Sequence, residues 1–346
     1  MPLLATATAL DLLNETAVMV GPGARLKQRF LHIQGVFSSE LAYLEAQLEA
    51  ASAGGEKPAT EAARHLVAAG GKRIRPLTVL LSAACFGAVP EGARELAVVA
   101  ELVHSATLLH DDVIDDSPER RGRPAARKVW GNAVSVLAGD LLLTHALDRT
   151  LAAAPLALPD LITTLRRLVD GEVVQLRGRS HLDTTEATYF RILEDKTASL
   201  FGWSARAGAI VSGAGAAERQ ALGLFGERMG VAFQLVDDAL DYAGDSADTG
   251  KALLSDLSEG KVTLPLVLAL ARDPGLGVRL ENARAGDRAA SVELGCAVVS
   301  MGVCDEVRRR AEKETERALI ALSELRPSPA REMLRILSTE LTTRTA

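Results

Sequence analysis

Apolar residues recur along this chain at spacings of three and four, the signature of helices that bury one face, and they almost never alternate as in strands. Ser38 to Ala51 reads as an amphipathic helix, closed by the Gly-Gly-Glu-Lys-Pro break at 54–58. A second is expected from Thr60 to Gly70-Gly71, a third from Pro76 to near Gly87, and a long one from about Gly92 to Asp116. Ser117 to Pro124, rich in Arg, Gly and Pro, reads as a loop. Further helices are expected over about 132–153, 159–177, 185–212 and 217–243, with three or four more between Val262 and Thr342. No internal repeat or low-complexity linker divides the chain. The expectation is therefore one all-α domain over 36–346, preceded by an extension of residues 1–35. Met1 to Leu13 is apolar, but it lacks a cationic start and is interrupted by Asp11, so it does not read as a signal peptide.

Two acidic clusters break this apolar pattern: Asp111-Asp112-Val113-Ile114-Asp115-Asp116 and Asp237-Asp238-Ala239-Leu240-Asp241. On a helix, Asp111 shares a face with Asp115, and Asp237 with Asp241. Like charges at that spacing cost about 0.2–0.5 kcal/mol per pair, and apolar surroundings add a larger desolvation cost. One such cluster is ordinarily a solvated helix face. Two, each following an apolar stretch, call for a positive partner. Oxygen-only donors without thiols suit Mg²⁺, which binds through one or two carboxylates and substrate phosphates. The expected arrangement is two helices facing each other to clamp a diphosphate through several metal ions.

Candidate anion-binding groups surround these clusters in sequence. Gly70-Gly71-Lys72-Arg73-Ile74-Arg75-Pro76 packs three cations into a turn before a helix N-terminus, where backbone N–H groups and the dipole add positive potential. His104 lies two helical turns before Asp111. Arg120 and Arg121 follow the first cluster, and guanidinium forks match phosphate oxygens. Lys196-Thr197, Gln234, Lys251 and Lys261 form a further polar set. Gln234 lies three residues before Asp237, on roughly the same face. The loop carrying Lys251 and Lys261 reads as a candidate lid over bound diphosphate.

Composition narrows the classes. A net charge of −6 with no basic stripe argues against a nucleic-acid partner. Cys85, Cys296 and Cys304 are too few for a disulfide framework and fit a reducing, cytoplasmic setting. No apolar run reaches the ~20 residues of a membrane span.

Seven ordered stretches resemble the all-trans polyprenyl (isoprenyl) diphosphate synthases. They are Gly-Gly-Lys-Arg-Ile-Arg-Pro (70–76), His-Ser-Ala-Thr-Leu-Leu-His-Asp-Asp-Val-Ile-Asp-Asp-Ser (104–117), Arg-Arg-Gly-Arg-Pro (120–124), Gly-Asp-Leu-Leu (139–142), Lys-Thr (196–197), Phe-Gln-Leu-Val-Asp-Asp-Ala-Leu-Asp-Tyr (233–242) and Glu-Gly-Lys-Val-Thr-Leu-Pro (259–265). The resemblance covers roughly 36–345. It implies the isoprenoid synthase type I fold, a single-domain bundle of long helices around a central cavity, acting as a homodimer with two or three Mg²⁺ per site. Asp111, Asp115 and Asp237, assisted by Asp112, Asp238 and Asp241, would hold the metal. Lys72, Arg75, His104 and Arg121 would bind isopentenyl diphosphate, and Arg120, Lys196, Lys251 and Lys261 the allylic diphosphate. Thr197 and Gln234, with Lys196, would be catalytic, their oxygen dipoles steadying an allylic cation. Leu254 stands where many relatives have glycine, a departure that bears on the lid.

In relatives with short products, bulky aromatics four and five residues before the first aspartate form a floor. Here those places hold Thr107 and Ala106, with Val103 about a turn deeper, at about 5.4 Å per turn. An open tunnel and a long, octaprenyl-like product of about C35–C50 are expected, with a peripheral membrane contact for product release. Leu141, Leu142 and Leu143 are candidates for a deeper floor. The nearest alternative is a geranylgeranyl diphosphate synthase. A terpene cyclase, or a head-to-head condensing enzyme, would share the acidic clusters. A cyclase, however, needs an aromatic-lined pocket, and Phe, Tyr and Trp make up only 3% of the chain. A non-catalytic partner subunit would be expected to have lost acidic ligands that are intact here.

Overall fold

The computed structural model describes residues 22–180, 184–244 and 254–343, nearly all of them helical. In chain order the helices are α1 (Pro22–Val36), α2 (Ser38–Ala53), α3 (Ala59–Val67), α4 (Ile74–Ala84), α5 (Glu91–Ile114), α6 (Ala126–Trp130) and α7 (Asn132–Ala153). They continue as α8 (Leu158–Ser180), α9 (Glu186–Ile192), α10 (Ser199–Val211), α11 (Ala216–Ala243), α12 (Ser255–Ser258), α13 (Leu264–Arg272), α14 (Leu276–Arg284), α15 (Arg288–Ser300), α16 (Val303–Ser323) and α17 (Pro329–Thr343). The expected loop at 117–124 contains a minimal antiparallel pairing, β1 (Glu119–Arg120) with β2 (Arg123–Pro124). The span expected as one helix over 185–212 is α9 and α10 joined by a π-helical turn, Leu193–Ala198. The tail holds five helices rather than three or four, because Pro274, Gly286, Gly302 and Pro329 each break the apolar period.

Internal contacts divide the molecule into two compact units. The first gathers the described residues through Ile162 with Phe201–Gly226 and Ala321–Leu337; the second holds Thr163–Leu200, Glu227–Ile320 and the described residues from Ser338 onward. In the first unit α5 is the central element. Leu96, Val98, Val99, Leu102, Val103 and Leu109 are all fully buried, so the helix is apolar around most of its circumference and packs chiefly on α7 and α4. Helix α10 approaches α4 so closely that a Cβ on Gly208 would lie 2.3 Å from the Val79 carbonyl oxygen, which requires glycine there.

The core of the second unit is built from Tyr189, Leu193, Leu235, Val236, Leu264, Leu294, Val298 and Val303, among others. Leu254 occupies the left-handed region at φ 63°, a conformation that glycine adopts without cost. Its backbone N–H is fixed by the Asp241 carbonyl at 2.9 Å, and its side chain lies over Gly295, where a Cβ would meet it at 2.8 Å. A leucine is thus held in a glycine-like backbone by packing. Among the described residues, no helix is long and apolar enough to cross a membrane.

Candidate active site

In the first unit, one helix carries both the acidic pair and the carboxylates that hold neighbouring arginines. Asp111 and Asp115 are half-buried on one face at the C-terminal end of α5, with the Asp115 N–H bonded to the Asp111 carbonyl at 2.7 Å. Carboxylates there face the negative end of the helix dipole, which adds to their mutual repulsion. Asp112 is fully buried and receives Arg120, with Nε at 2.8 Å and a second guanidinium nitrogen at 2.6 Å from the same oxygen. Asp116 turns away to Arg127. The six-residue cluster therefore keeps Asp111 and Asp115 half-buried on one face, and Asp112 and Asp116 each pair with a neighbouring arginine.

The 70–76 turn divides its three cations. Gly70 at φ 73° and Arg73 at φ 53° are both left-handed, which for arginine costs about 1–2 kcal/mol. The Arg73 side chain points inward, with Nε and Nη2 at 2.7 and 2.9 Å from Glu45 and Nη1 at 2.5 Å from Glu101. Burial pulls its pKa down, but those two carboxylates outweigh burial and raise it. Lys72 is exposed, with its carbonyl 3.4 Å from the Gln34 amide. Arg75 is half-buried, its guanidinium carbon 4.3 Å from the centre of the Phe201 ring. Burial lowers Arg75 to about 10, with Arg121 adding to the effect against Glu101, so it stays charged at neutral pH. Arg121 lies against Gly71, where a Cβ would come within 3.1 Å of its guanidinium.

His104, further back on α5, is held well below the ordinary imidazole range by burial and then by Arg75, Arg121, Arg120 and Arg73. Four arginines against Glu45, Glu101 and Asp112 leave a positive excess, carried chiefly by Arg75 and Arg121, that is suited to an anion. Val103 and Ala106 are buried in α5, while Thr107 is half-buried and bonds its hydroxyl to the His104 carbonyl at 2.8 Å.

In the second unit, Lys196 and Thr197 sit in the π-helical turn, a local distortion common at functional sites. Helix α8 presses against this turn: a Cβ on Gly171 would lie 2.8 Å from the Lys196 backbone nitrogen. The Lys196 ammonium reaches Gln175 at 2.8 Å and pairs with Glu172. Thr197 donates to the Gln234 carbonyl oxygen at 3.3 Å, and the Gln234 amide donates to Asp238 at 2.8 Å. Tyr189 donates to the other Asp238 oxygen at 2.5 Å. Asp238 is buried, and burial followed by the charge of Asp256 raises its pKa well above the carboxylate range despite those two donors.

Asp237 and Asp241 are half-buried on one face near the C-terminal end of α11, the same placement as the pair on α5. Asp241 caps α12, accepting from the backbone N–H groups of Ser255 (3.1 Å) and Asp256 (3.2 Å) and from the Ser255 hydroxyl (2.6 Å). Lys261 pairs with Glu259. Lys251 lies outside the described residues.

The family model for polyprenyl synthetase matches residues 56–296. The chain is 40% identical over 277 residues to an all-trans-nonaprenyl-diphosphate synthase of Rhodobacter capsulatus, covering 78% of this chain and 84% of that protein. It is 36% identical to the octaprenyl diphosphate synthase of Escherichia coli, covering 78% and 85%. The crystal structure of a Caulobacter crescentus polyprenyl synthase, complexed with calcium and isoprenyl diphosphate, superposes with a TM-score of 0.85 at 36% identity, covering 91% of this chain and 97% of that one.

The chain belongs to the polyprenyl synthetase family. Its all-helical architecture is the isoprenoid synthase type I fold. The donor chemistry of this polyprenyl synthetase fits Mg²⁺. Each acidic pair offers hard oxygens at a helix C-terminus, and around Asp238 a buried carboxylate stands beside Asp237 and Asp256 with its charge opposed by burial. Among the described residues, no three acidic, histidine or cysteine side chains converge as a ready-made metal cage. A metal here would complete its shell with diphosphate oxygens and water, as Mg²⁺ commonly does.

Glu45, Glu101, Glu172, Gln175, Tyr189 and Asp256 were not found by sequence reasoning. Each touches or faces a motif residue from a distant part of the chain, and only a Glu or Tyr inside an apolar helical stretch hinted at them.

Neutral His104 gives a pH signature. Its folded pKa is depressed, so its contribution to stability is complete above the unfolded value of about 6.5 and is lost as pH falls below it. Melting temperature measured across that range should fall less steeply for His104→Gln than for the unaltered protein. Equal slopes would contradict the assignment.

Proposed function

We infer that this chain is a prenyltransferase that adds isopentenyl diphosphate head to tail to an allylic diphosphate, making a long all-trans polyprenyl diphosphate. The observation that carries this reading is the likeness to octaprenyl and nonaprenyl synthases over most of both chains, together with two acidic pairs at helix C-termini and an arginine-rich pocket beside one of them. Lys72, Arg75, His104 and Arg121 bind the diphosphate of isopentenyl diphosphate. His104, neutral, contributes a hydrogen bond rather than a charge.

Arg120, Lys196, Lys251 and Lys261 bind the allylic diphosphate. Asp111, Asp115 and Asp237 hold Mg²⁺, and Asp112, Asp238 and Asp241 support them through the arginine, glutamine and α12 contacts described above. When bound, two or three Mg²⁺ supply Lewis-acid neutralisation of the charge that grows on the departing diphosphate. Thr197 and Gln234 supply oxygen dipoles to the allylic cation, and Asp238, by accepting from the amide N–H₂ of Gln234, fixes which end of that amide carries the oxygen. The isopentenyl double bond attacks the cation, and the proton lost in closing the new double bond passes to the released diphosphate. Among the described residues, Lys196 and Lys261 rest on Glu172 and Glu259, contacts that an incoming diphosphate replaces.

The growing chain runs along α5 past Thr107 and Ala106 toward Val103, where small side chains leave room. A geranylgeranyl-length product remains the second reading, distinguished only by product mass. The protein works as a homodimer in the cytoplasm. An exposed apolar stripe on α8, Val169, Val173 and Leu176 at helical spacing, supports a second copy as its cover.

Asp111→Ala and Asp237→Ala should each lower turnover by about a thousandfold or more while the protein stays folded by circular dichroism. Near-normal rates in either variant would remove the metal-binding assignment. Ala106→Phe and Thr107→Phe should shorten the product, read by mass spectrometry, because each aromatic blocks a helical turn of about 5.4 Å. An unchanged product distribution would mean that the chain grows elsewhere.

A further inference from the structure

Of the three cations in the 70–76 turn, Arg73 has the least solvent exposure. Its side chain is 4% exposed, and its guanidinium fork spans Glu45 on α2 and Glu101 on α5 while its backbone caps α4. Three helices are therefore tied together at one residue. That residue is held in a left-handed backbone conformation, φ 53° and ψ 36°, that an arginine adopts only when its surroundings enforce it. Lys72 precedes it directly and Arg75 follows two residues later, so the backbone rotation at 73 sets where both point. Glu101 is 3% exposed and also lies close enough to Arg75 and Arg121 to act on their charges. It serves as a resident counter-ion beneath the group.

We propose that Arg73 is a positioning residue for isopentenyl diphosphate: its buried fork to Glu45 and Glu101 locks the strained turn so that Lys72 and Arg75 are presented to the diphosphate before it arrives. The proposal rests on the isopentenyl-diphosphate site assigned above. Arg73 does not touch substrate. Its contribution is preorganisation, which removes the cost of ordering two long cationic side chains at binding. A lysine could not replace it, since a single ammonium cannot bridge two carboxylates as a planar fork does.

Steady-state kinetics of Arg73→Ala, with isopentenyl and farnesyl diphosphates varied separately, tests this. The KM for isopentenyl diphosphate should rise about tenfold or more, while kcat and the KM for farnesyl diphosphate change by no more than about threefold. Glu45→Gln, a change at the half-exposed end of the fork, serves if Arg73→Ala does not fold, with a smaller rise of about threefold in the same KM alone. Unchanged constants in a folded variant would overturn the proposal. So would a parallel rise in both KM values, or a fall in kcat alone, since each would mark a general structural role. Failure of the underlying site assignment would look different: Arg75→Ala would then leave the KM for isopentenyl diphosphate unchanged.

Discussion

Carboxylates placed at the C-terminal end of a helix are opposed twice, by one another and by the dipole of the helix that carries them. This protein does so on two helices, with Asp111 and Asp115 ending α5 and Asp237 and Asp241 ending α11. A fold assembled for stability alone would place lysine or arginine at those ends. The surplus negative charge gives each helix end the kind of donors a divalent cation takes, which is the basis of the proposed metal sites. The arginine group around His104 carries the opposite surplus and seeks an anion. Under the proposed function a magnesium diphosphate is the ligand whose chemistry answers each demand, its metal held by the carboxylates and its oxygens by the arginines.

Around these charges the chain has built fixed supports. Asp112 is tied to Arg120, Asp238 to Tyr189 and Gln234, Asp241 to the start of α12, and Arg73 to Glu45 and Glu101. In each cluster the second aspartate of the leading pair, Asp112 or Asp238, is thus buried and held by protein groups, and the first, Asp111 or Asp237, is half-buried. Under the proposed roles, groups held in this way need little rearrangement when substrate arrives, and preorganised electrostatics is where enzymes gain most of their rate.

Much of this was legible in the residues. The apolar content and the breaks around it placed the helices over 38–53, 91–114 and 132–153 to within about two residues, because those helices are long and each is bounded on at least one side by Gly or Pro. The acidic clusters and the Gly-Gly-Lys-Arg-Ile-Arg-Pro turn stood out because their charges contradict apolar surroundings. The π-helical turn at 193–198 did not, since one inserted residue leaves the pattern of Leu193, Ala198 and Leu200 still helical. The inward direction of Arg73 was equally hidden. Three cations within four residues look alike in sequence, and only Glu45 and Glu101, 28 residues away on either side, distinguish the middle one. Leu254 showed as an oddity in sequence, and its left-handed backbone over Gly295 gives the oddity a physical form.

The most direct measurement of the central claim is the mass of the products formed when the purified protein is given Mg²⁺, isopentenyl diphosphate and farnesyl diphosphate. The account predicts a ladder extending well beyond the geranylgeranyl product, and none when Mg²⁺ is chelated. Arrest at the geranylgeranyl product would contradict the open path along α5, and the absence of any elongation by folded protein would contradict the account as a whole.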